Sequence, residues 1–304
     1  NVKKEIFFVK NIFSDIKINN LKKKYFEIQD EINSLLIGSK ISKFQKDNSN
    51  KKFSVKSNIS KKRFFQIVNK AKQYIKKGDI FQVVLSQRFE SKLTKKPIEI
   101  YKKLRVTNPS PFMFFFNFND FQIIGASPEI LVRLRNNVIT VRPIAGTRPR
   151  GRNNKEDNLL KKDLINDKKE LSEHLMLLDL GRNDAGKVSK INTIKVTEKF
   201  KIEKYSHVMH IVSNVTGIYD KKFSKFEALM AGFPAGTVSG APKIRAMEII
   251  DELEKNSRKI YAGGIGYFSA NGDFDTCIAL RTAVTKNNKF YVQAGAGIVA
   301  DSKP

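Results

Sequence analysis

The sequence predicts an α+β domain in which layered β-sheets are flanked by helices. Segments with the helical spacing of apolar residues are separated by groups of several short β-patterned segments, in the order helix, strands, helix, strands, helix, strands. A regular α/β fold would instead alternate one strand with one helix. The chain has 304 residues, of which 40% are hydrophobic, and this is enough for one large core or two packed lobes.

The first predicted helix begins after Ser60, a residue type that caps helix N-termini, and runs to about Lys77. Its apolar residues recur with helical spacing and are Phe64, Ile67, Val68, Ala71 and Ile75. Gly78 is expected to end this helix, and residues 79–89 are expected to form a buried strand.

Prolines and glycines divide the region that follows into short strands, and three more helices are expected. The predicted strands cover residues 112–118, 121–126, 130–135, 137–142, 193–198 and 208–216. The predicted helices cover residues 155–180, 224–230 and 242–254. Residues 261–299 are expected to supply two or three further strands, with a turn at 270–273.

Composition excludes several classes of function. The formal charge of +27 comes mostly from scattered lysines, and no RNA-recognition strand, zinc finger or basic zipper is present, so nucleic-acid binding is not expected. The single cysteine, Cys277, excludes an intrachain disulfide and suits the reducing cytoplasm. No apolar run approaches the roughly 20 residues of a membrane span, so no membrane partner is expected.

Two glycine-containing loops are candidates for binding an anion. The segment Arg142–Gly151 places two prolines and two glycines among three arginines, which predicts a shaped loop with exposed N–H groups and guanidinium forks. A solvated basic turn explains that segment equally well. The segment Gly236–Lys243 fails the spacing of a P-loop, but it enters a predicted helix whose N-terminus favours an anion.

Five charged or titratable positions are candidates for chemistry. Glu170 and Glu173 are three residues apart on a predicted helix, so both carboxylates face one side and could hold Mg²⁺. A solvated helix face with local ion pairs is the alternative. His207 and His210 face opposite sides of a strand, which argues against a shared zinc ion. Arg281 lies inside an apolar strand predicted over residues 277–284 and needs a partner, either a substrate carboxylate or an internal acid.

Eight segments form a series of long motifs: Gly78–Phe89, Asn108–Met113, Gly125–Glu129, Arg142–Gly151, Glu173–Asp184, Tyr205–His210, Phe233–Lys243 and Gly295–Asp301. In this order they resemble the chorismate-utilising enzymes, and most closely the large subunits (component I) of anthranilate synthases. The resemblance implies the chorismate-utilising enzyme fold, with residues 1–57 as the remnant of an N-terminal regulatory region and linker. Residues 58–304 would be the chorismate-binding catalytic domain, truncated at its C-terminus.

The resemblance also implies roles for individual residues. Substrate contacts are expected at Gly146, Thr147, Thr237, Tyr261, Arg281, Gly295 and Gly297. Mg²⁺ is expected at Glu170 and Glu173, with another glutamate beyond the end of this chain. Glu129 matches the position that would protonate the leaving 4-hydroxyl of chorismate, and His207 matches the histidine associated with elimination of pyruvate.

Two positions distinguish the different chorismate-utilising enzymes that this chain resembles. Isochorismate synthases carry lysine where Gln82 stands, and aminodeoxychorismate synthases typically carry lysine where Ala145 stands. Ammonia from a glutamine amidotransferase subunit (component II) is therefore the expected nucleophile, with anthranilate and pyruvate as products. The folate-pathway aminodeoxychorismate synthase is the alternative, and a non-enzymatic basic binding module is a third. Asn108–Met113 would line the site of feedback inhibition by tryptophan.

Overall fold

The computed structural model describes Phe26, Glu27, Gln29, Asp30 and residues 54–304. The chain divides into two compact units, residues 1–52 and 53–304. In the first unit, the four described residues are helical. In the stretches that the structure describes, no helix combines the length and the apolar character that crossing a membrane requires.

The second unit contains two antiparallel β-sheets. The strands of the first are β1 (Lys56–Ser57), β2 (Gln82–Lys92), β3 (Phe112–Asn117), β4 (Phe121–Ser127), β10 (Gly240–Ala241), β13 (Thr282–Lys286) and β14 (Lys289–Ile298). They run in the order β1-β2-β14-β13-β4-β3, and β10 pairs with β2. The strands of the second are β5 (Ile130–Arg135), β6 (Val138–Val141), β7 (Ile144–Pro149), β8 (Lys195–Lys204), β9 (Val208–Ile218), β11 (Gly264–Phe268) and β12 (Phe274–Ile278). They run in the order β11-β12-β5-β6-β9-β7, and β8 pairs with β9.

Helices cover both sheets. Their bounds are α1 (Lys61–Lys76), α2 (Pro97–Thr107), α3 (Asn154–Asn166), α4 (Lys168–Gly186), α5 (Lys225–Ala231) and α6 (Lys243–Leu253), and Gly236–Val238 forms a 3₁₀ turn. Ser60 caps α1 as predicted, because its side chain accepts a hydrogen bond from the Arg63 N–H. The layered α+β class predicted from the sequence is confirmed.

Each sheet has its own apolar core. In the first sheet, buried side chains of β2 pack against α1 and α6, and the cluster includes Ile67, Val83, Leu85, Ala246 and Ile249. In the second sheet, β5, β6 and β12 pack against α4 and α5, and the cluster includes Leu131, Leu134, Ile139, Leu178 and Phe274. The sheets are therefore held by separate helix layers, and the chain must cross between them.

The structure differs from the predicted secondary structure in several places. The long helix expected over residues 155–180 is two helices, because the Asp167 side chain accepts hydrogen bonds from the N–H groups of Lys169 and Glu170 and so caps a new helix. Residues 261–299 form four strands rather than two or three. Helix α2 was not predicted from the sequence, and none of its residues is buried.

The predicted loop Arg142–Gly151 is mostly a strand. Residues 144–149 form β7, which pairs with β9 and has a bulge between Ala145 and Thr147. The bulge falls at Gly146, whose φ is +80°. Glycine therefore kinks this strand instead of ending it.

Candidate active site

Two chain crossings between the sheets place the first two site residues. Glu129 lies between β4 and β5, and Arg281 lies between β12 and β13. The crossings are hydrogen-bonded to each other, since the Ile278 N–H donates to the Glu129 carbonyl at 3.0 Å and the Ala126 N–H donates to the Arg281 carbonyl at 3.2 Å. Arg281 therefore lies between two strands and not inside the predicted continuous one, and its φ is 49°. Such left-handed non-glycine residues concentrate at functional sites.

Glu129 is a buried carboxyl, with 5% of the residue exposed. Burial raises its pKa to about 8, although the Thr237 hydroxyl, the Ile144 backbone and the charge of Arg281 oppose the rise. Thr237 Oγ1 is buried and has no partner at standard hydrogen-bond geometry among the described residues, so it is a neighbour of Glu129 and not its bonded partner. A carboxyl that stays protonated near pH 7 can act as a general acid.

The two predicted metal-binding glutamates lie in the first turns of α4. Burial raises the pKa of Glu173, and the nearby charge of Glu170 raises it further. Glu170 Oε1 lies 3.5 Å from Arg148 Nη1. Among the residues that the structure describes, no third acidic or metal-binding side chain joins this pair. A pair of carboxylates on one helix face fits Mg²⁺, which completes its shell with substrate oxygen and water.

Gln82 lies beside the carboxylate pair. Its side chain is buried, and Nε2 donates to Glu173 Oε1 at 3.0 Å. This contact fixes the orientation of the amide, because the reverse orientation would place two acceptor oxygens together. The remaining oxygen, Oε1, is buried and has no donor among the described residues. It is therefore an acceptor that a ligand could satisfy.

Glycine backbones bring the chain close to these acids. A Cβ added at Gly146 would lie 3.3 Å from Glu170 Oε2 and 2.8 Å from Ile211 Cδ1. A Cβ added at Gly297 would lie 2.6 Å from Gln82 Nε2. Any other residue type would fill the space between the backbone and the acids.

The Gly295 backbone faces the hydroxyl of Tyr261. Beyond Val292, β14 keeps β2 as a ladder partner but has no pairing with β13. One edge of β14 is thus unpaired near Gly295 and Gly297 within the described part of the chain. An unpaired strand edge presents N–H groups to a ligand.

The structure places His210, and not His207, beside these residues. His210 is half-buried, and its Nδ1 lies 3.0 Å from Thr147 Oγ1. Burial lowers the pKa of His210, a hydrogen bond to the Gly146 backbone raises it, and the Arg281 charge lowers it further. His207 lies just before β9 with its side chain exposed. The position of His207 therefore does not support its predicted catalytic role. The sequence indicated that only one of the two rings could face the site, because residues three apart on a strand point to opposite sides.

The three arginines of Arg142–Gly151 are occupied by internal acids. Arg142 contacts Glu203 and Glu198, Arg148 contacts Asp163 and Asp167, and Arg150 contacts Asp157. The Arg281 guanidinium, in contrast, has no salt bridge within the described residues, and burial lowers its pKa. Arg281 is consequently the better clamp for a ligand carboxylate.

These contacts join the predicted residues into one set, called here the site cluster. Its members are Gln82, Glu129, Gly146, Thr147, Glu170, Glu173, His210, Thr237, Tyr261, Arg281, Gly295 and Gly297. The cluster contains a protonated acid, a free guanidinium, a carboxylate pair and two buried polar atoms without partners. Orphaned buried polar atoms are rare in folded proteins, so their presence here points to a ligand.

A family profile described as chorismate binding enzyme matches residues 7–304. The chain belongs to this family. It is 62% identical over 250 residues to anthranilate synthase component 1 from Cereibacter sphaeroides, a match covering 82% of this chain and 50% of that protein. It is 57% identical to the same component from Acetivibrio thermocellus, covering 83% and 51%. The chain thus spans about half the length of the curated relatives that it matches.

Solved structures of this family have the same architecture. Anthranilate synthase component I from Streptococcus pneumoniae superposes with a TM-score of 0.83 at 43% identity, covering 95% of this chain and 63% of that one. A Bacillus anthracis protein described as a putative 2,3-dihydroxybenzoate-specific isochorismate synthase superposes at 0.74 with 26% identity, covering 83% and 69%. The predicted chorismate-utilising enzyme fold is confirmed.

The buried His174 makes folding sensitive to acid. Its ring is fully buried between the Ala145 carbonyl and the Ser213 hydroxyl, and burial lowers its pKa to about 4. Between pH 6.5 and 4 the unfolded chain takes up a proton at His174 that the folded chain does not, so this residue should contribute a loss of stability on the order of 3 kcal/mol over that range. Urea unfolding at several pH values measures this loss. Relative to the parent, His174→Gln should lose less stability as the pH falls from 6.5 to 4 and His207→Gln should not differ, whereas equal slopes in all three proteins would contradict the prediction.

Proposed function

We propose that this protein is the large subunit of anthranilate synthase, a Mg²⁺-dependent lyase of tryptophan biosynthesis. It converts chorismate and ammonia to anthranilate and pyruvate. The observation that carries the proposal is the neutral Gln82 amide beside Glu173, with its Oε1 lacking a donor. The names of the relatives from Cereibacter sphaeroides and Acetivibrio thermocellus support the same reaction.

The site cluster matches the charges of chorismate, which carries two carboxylates. The unpaired guanidinium of Arg281 and the free edge of β14 near Gly295 and Gly297 bind one of them. Glu170 and Glu173 would hold Mg²⁺, which would neutralise the ring carboxylate and supply a Lewis acid. Glu129 is buried and protonated near neutral pH, so it donates a proton to the departing 4-hydroxyl.

The proposed nucleophile follows from the absence of an amine at positions 82 and 145. An amide cannot take a proton from water at neutral pH, so Gln82 does not activate water as a lysine amine would. Gln82 Oε1 can instead accept a hydrogen bond from an N–H of ammonia. Ala145 has no amine to attack the ring, which disfavours the aminodeoxychorismate synthase alternative.

Ammonia adds at C2 of chorismate as the 4-hydroxyl leaves, giving aminodeoxyisochorismate. Loss of the C2 proton and of the enolpyruvyl group, which departs as pyruvate, then gives anthranilate. His210 is placed to take that proton, because burial lowers its pKa and keeps its ring neutral. Thr147 orients the ring through its hydroxyl.

The proposal also covers partners and location. A glutamine amidotransferase subunit (component II) supplies ammonia, tryptophan is the feedback inhibitor, and the complex works in the cytoplasm. The buried Ser110 hydroxyl has no partner among the described residues and lies in the Asn108–Met113 segment assigned to tryptophan. It is available to bind the inhibitor.

The experiment is a fluorescence assay for anthranilate with the full-length natural polypeptide, chorismate, Mg²⁺ and ammonium. The parent should form anthranilate, Gln82→Lys should divert product to isochorismate, and Ala145→Lys should abolish anthranilate formation. A parent that forms isochorismate would refute the nucleophile assignment. A parent that binds nucleic acid with a steep salt dependence, and is not stabilised by chorismate, would favour the basic binding module.

The two histidines give a paired test of the elimination step. His210→Ala should lower kcat for anthranilate by about 10²–10⁴-fold, the range for loss of a general acid or base, and should let aminodeoxyisochorismate accumulate. His207→Ala, whose ring is exposed, should retain the parent rate. Product analysis by liquid chromatography measures both outcomes. The reverse pattern would restore the sequence-based assignment to His207.

A further inference from the structure

Arg258 lies outside the site cluster but is bonded to segments that carry it. Its guanidinium forms a two-pronged ion pair with Glu254, with Nε 3.0 Å from Oε2 and Nη2 2.7 Å from Oε1. Nη1 also donates to the Val238 carbonyl at 2.7 Å, and Nη2 donates to the Val84 carbonyl at 2.6 Å. The side chain is 17% exposed. One guanidinium thus joins the end of α6, the 3₁₀ turn and strand β2.

The acceptors of Arg258 are next to site residues. Val238 follows Thr237 in the 3₁₀ turn. Val84 lies opposite Gly297 in the ladder between β2 and β14. The guanidinium also lies over the ring of Tyr261, at 5.6 Å from its centroid.

Glu254 extends these connections to the other glycine of β14. Its side chain is 6% exposed, and Oε1 accepts from the Ser86 N–H at 2.7 Å and from the Ser86 hydroxyl at 3.0 Å. Ser86 lies opposite Gly295 in the same ladder. The Arg258–Glu254 pair therefore holds the strand that supports both glycines.

The loop that follows Arg258 is held in a strained shape. Lys259 and Ala262 both have left-handed backbones, with φ of 55° and 64°. The Ala262 N–H donates to the Ala279 carbonyl at 3.2 Å. Such strain persists only where the surroundings fix it, and here it sets the position of Tyr261.

We propose that Arg258 is a positioning residue that sets the spacing of Thr237, Tyr261 and the β14 glycines around chorismate. This inference rests on the proposed function for its substrate. Lysine cannot replace arginine here, because one ammonium group cannot contact Glu254, Val238 and Val84 at once. A shift of about 1 Å in substrate-contacting groups costs on the order of 10²-fold in rate.

The test uses the full-length protein with Mg²⁺ and ammonium. Arg258→Lys should raise the KM for chorismate by roughly ten- to a hundredfold and leave the KM for ammonium unchanged. A purely structural role would instead lower the melting temperature and the amount of active enzyme without changing either KM. Combining Arg258→Lys with Tyr261→Phe should raise the chorismate KM by less than the product of the single effects, because the two residues act through one contact.

Arg245→Lys is the matched control. Arg245 lies on α6 and pairs with the exposed Glu248, and its substitution should leave both KM values unchanged. If Arg258→Lys does not fold, Glu254→Gln weakens the same ion pair and should raise the chorismate KM in the same direction. A folded Arg258→Lys or Glu254→Gln protein with the parent's chorismate KM would overturn the inference. If the parent makes no anthranilate, the proposed function fails. The role of Arg258 can then still be tested by comparing how much chorismate raises the melting temperature of the parent and of Arg258→Lys.

Discussion

Glu129→Gln should lower kcat for anthranilate formation by about 10²–10⁴-fold, because an amide cannot donate the proton that the leaving hydroxyl needs. The same residue should set the alkaline limit of the enzyme. Since its pKa is raised to about 8, kcat/KM of the parent should fall as the pH rises through 8. The residual activity of Glu129→Gln should lack that decline. Steady-state rates between pH 6 and pH 10 measure both effects.

Glu129→Gln should also change stability, in the direction opposite to activity. A carboxyl with a raised folded-state pKa stabilises the fold at low pH, and this contribution is lost as the pH rises from about 4.5 to about 8. The glutamine variant should therefore gain stability relative to the parent across that window, by on the order of 5 kcal/mol at pH 8. Glu99→Gln, an exposed position on α2, should change neither activity nor stability. An active Glu129→Gln enzyme would refute the role of Glu129 as the acid.

Glu173→Gln should abolish the Mg²⁺ response, with a loss of about 10²–10⁴-fold in kcat/KM, because charge stabilisation by a bound metal is worth several kcal/mol. Glu170→Gln should behave in the same way, since the two carboxylates face one space. Chorismate-dependent thermal stabilisation, measured with and without Mg²⁺, separates binding of the metal from chemistry.

Asp179→Asn is the control for the carboxylate pair. Asp179 lies on the same helix, is exposed and pairs with Arg182, so its loss should leave the Mg²⁺ dependence intact. If Glu173→Gln keeps both its rate and its Mg²⁺ requirement, the metal lies elsewhere.

The sequence correctly predicted those elements that a short stretch of chain determines by itself. The Ser60 cap and the apolar spacing of α1 identify that helix, and its observed bounds agree within one residue. The break at Asp167 was missed because an aspartate inside a helical pattern also fits a solvated face. Residues 144–149 form a strand only because β9 supplies a hydrogen-bonding partner, and that pairing cannot be read from prolines and glycines.

The candidate site was predictable in part, through the resemblance to chorismate-utilising enzymes. Its physical basis became visible only in three dimensions. The need for glycine at 146 and 297 comes from acids and amides on other strands and helices. The unpartnered oxygen of Gln82 depends on a contact across 91 residues of sequence. The choice between His207 and His210 likewise depends on where β7 meets β9.

The central claim is that ammonia, and not water or a lysine amine, attacks chorismate in this site. The most direct test incubates the full-length protein with chorismate, Mg²⁺ and ¹⁵N-labelled ammonium and identifies the products by mass spectrometry. The account predicts anthranilate carrying one ¹⁵N atom, with an equal amount of pyruvate. Unlabelled isochorismate, or aminodeoxychorismate without pyruvate, would contradict it.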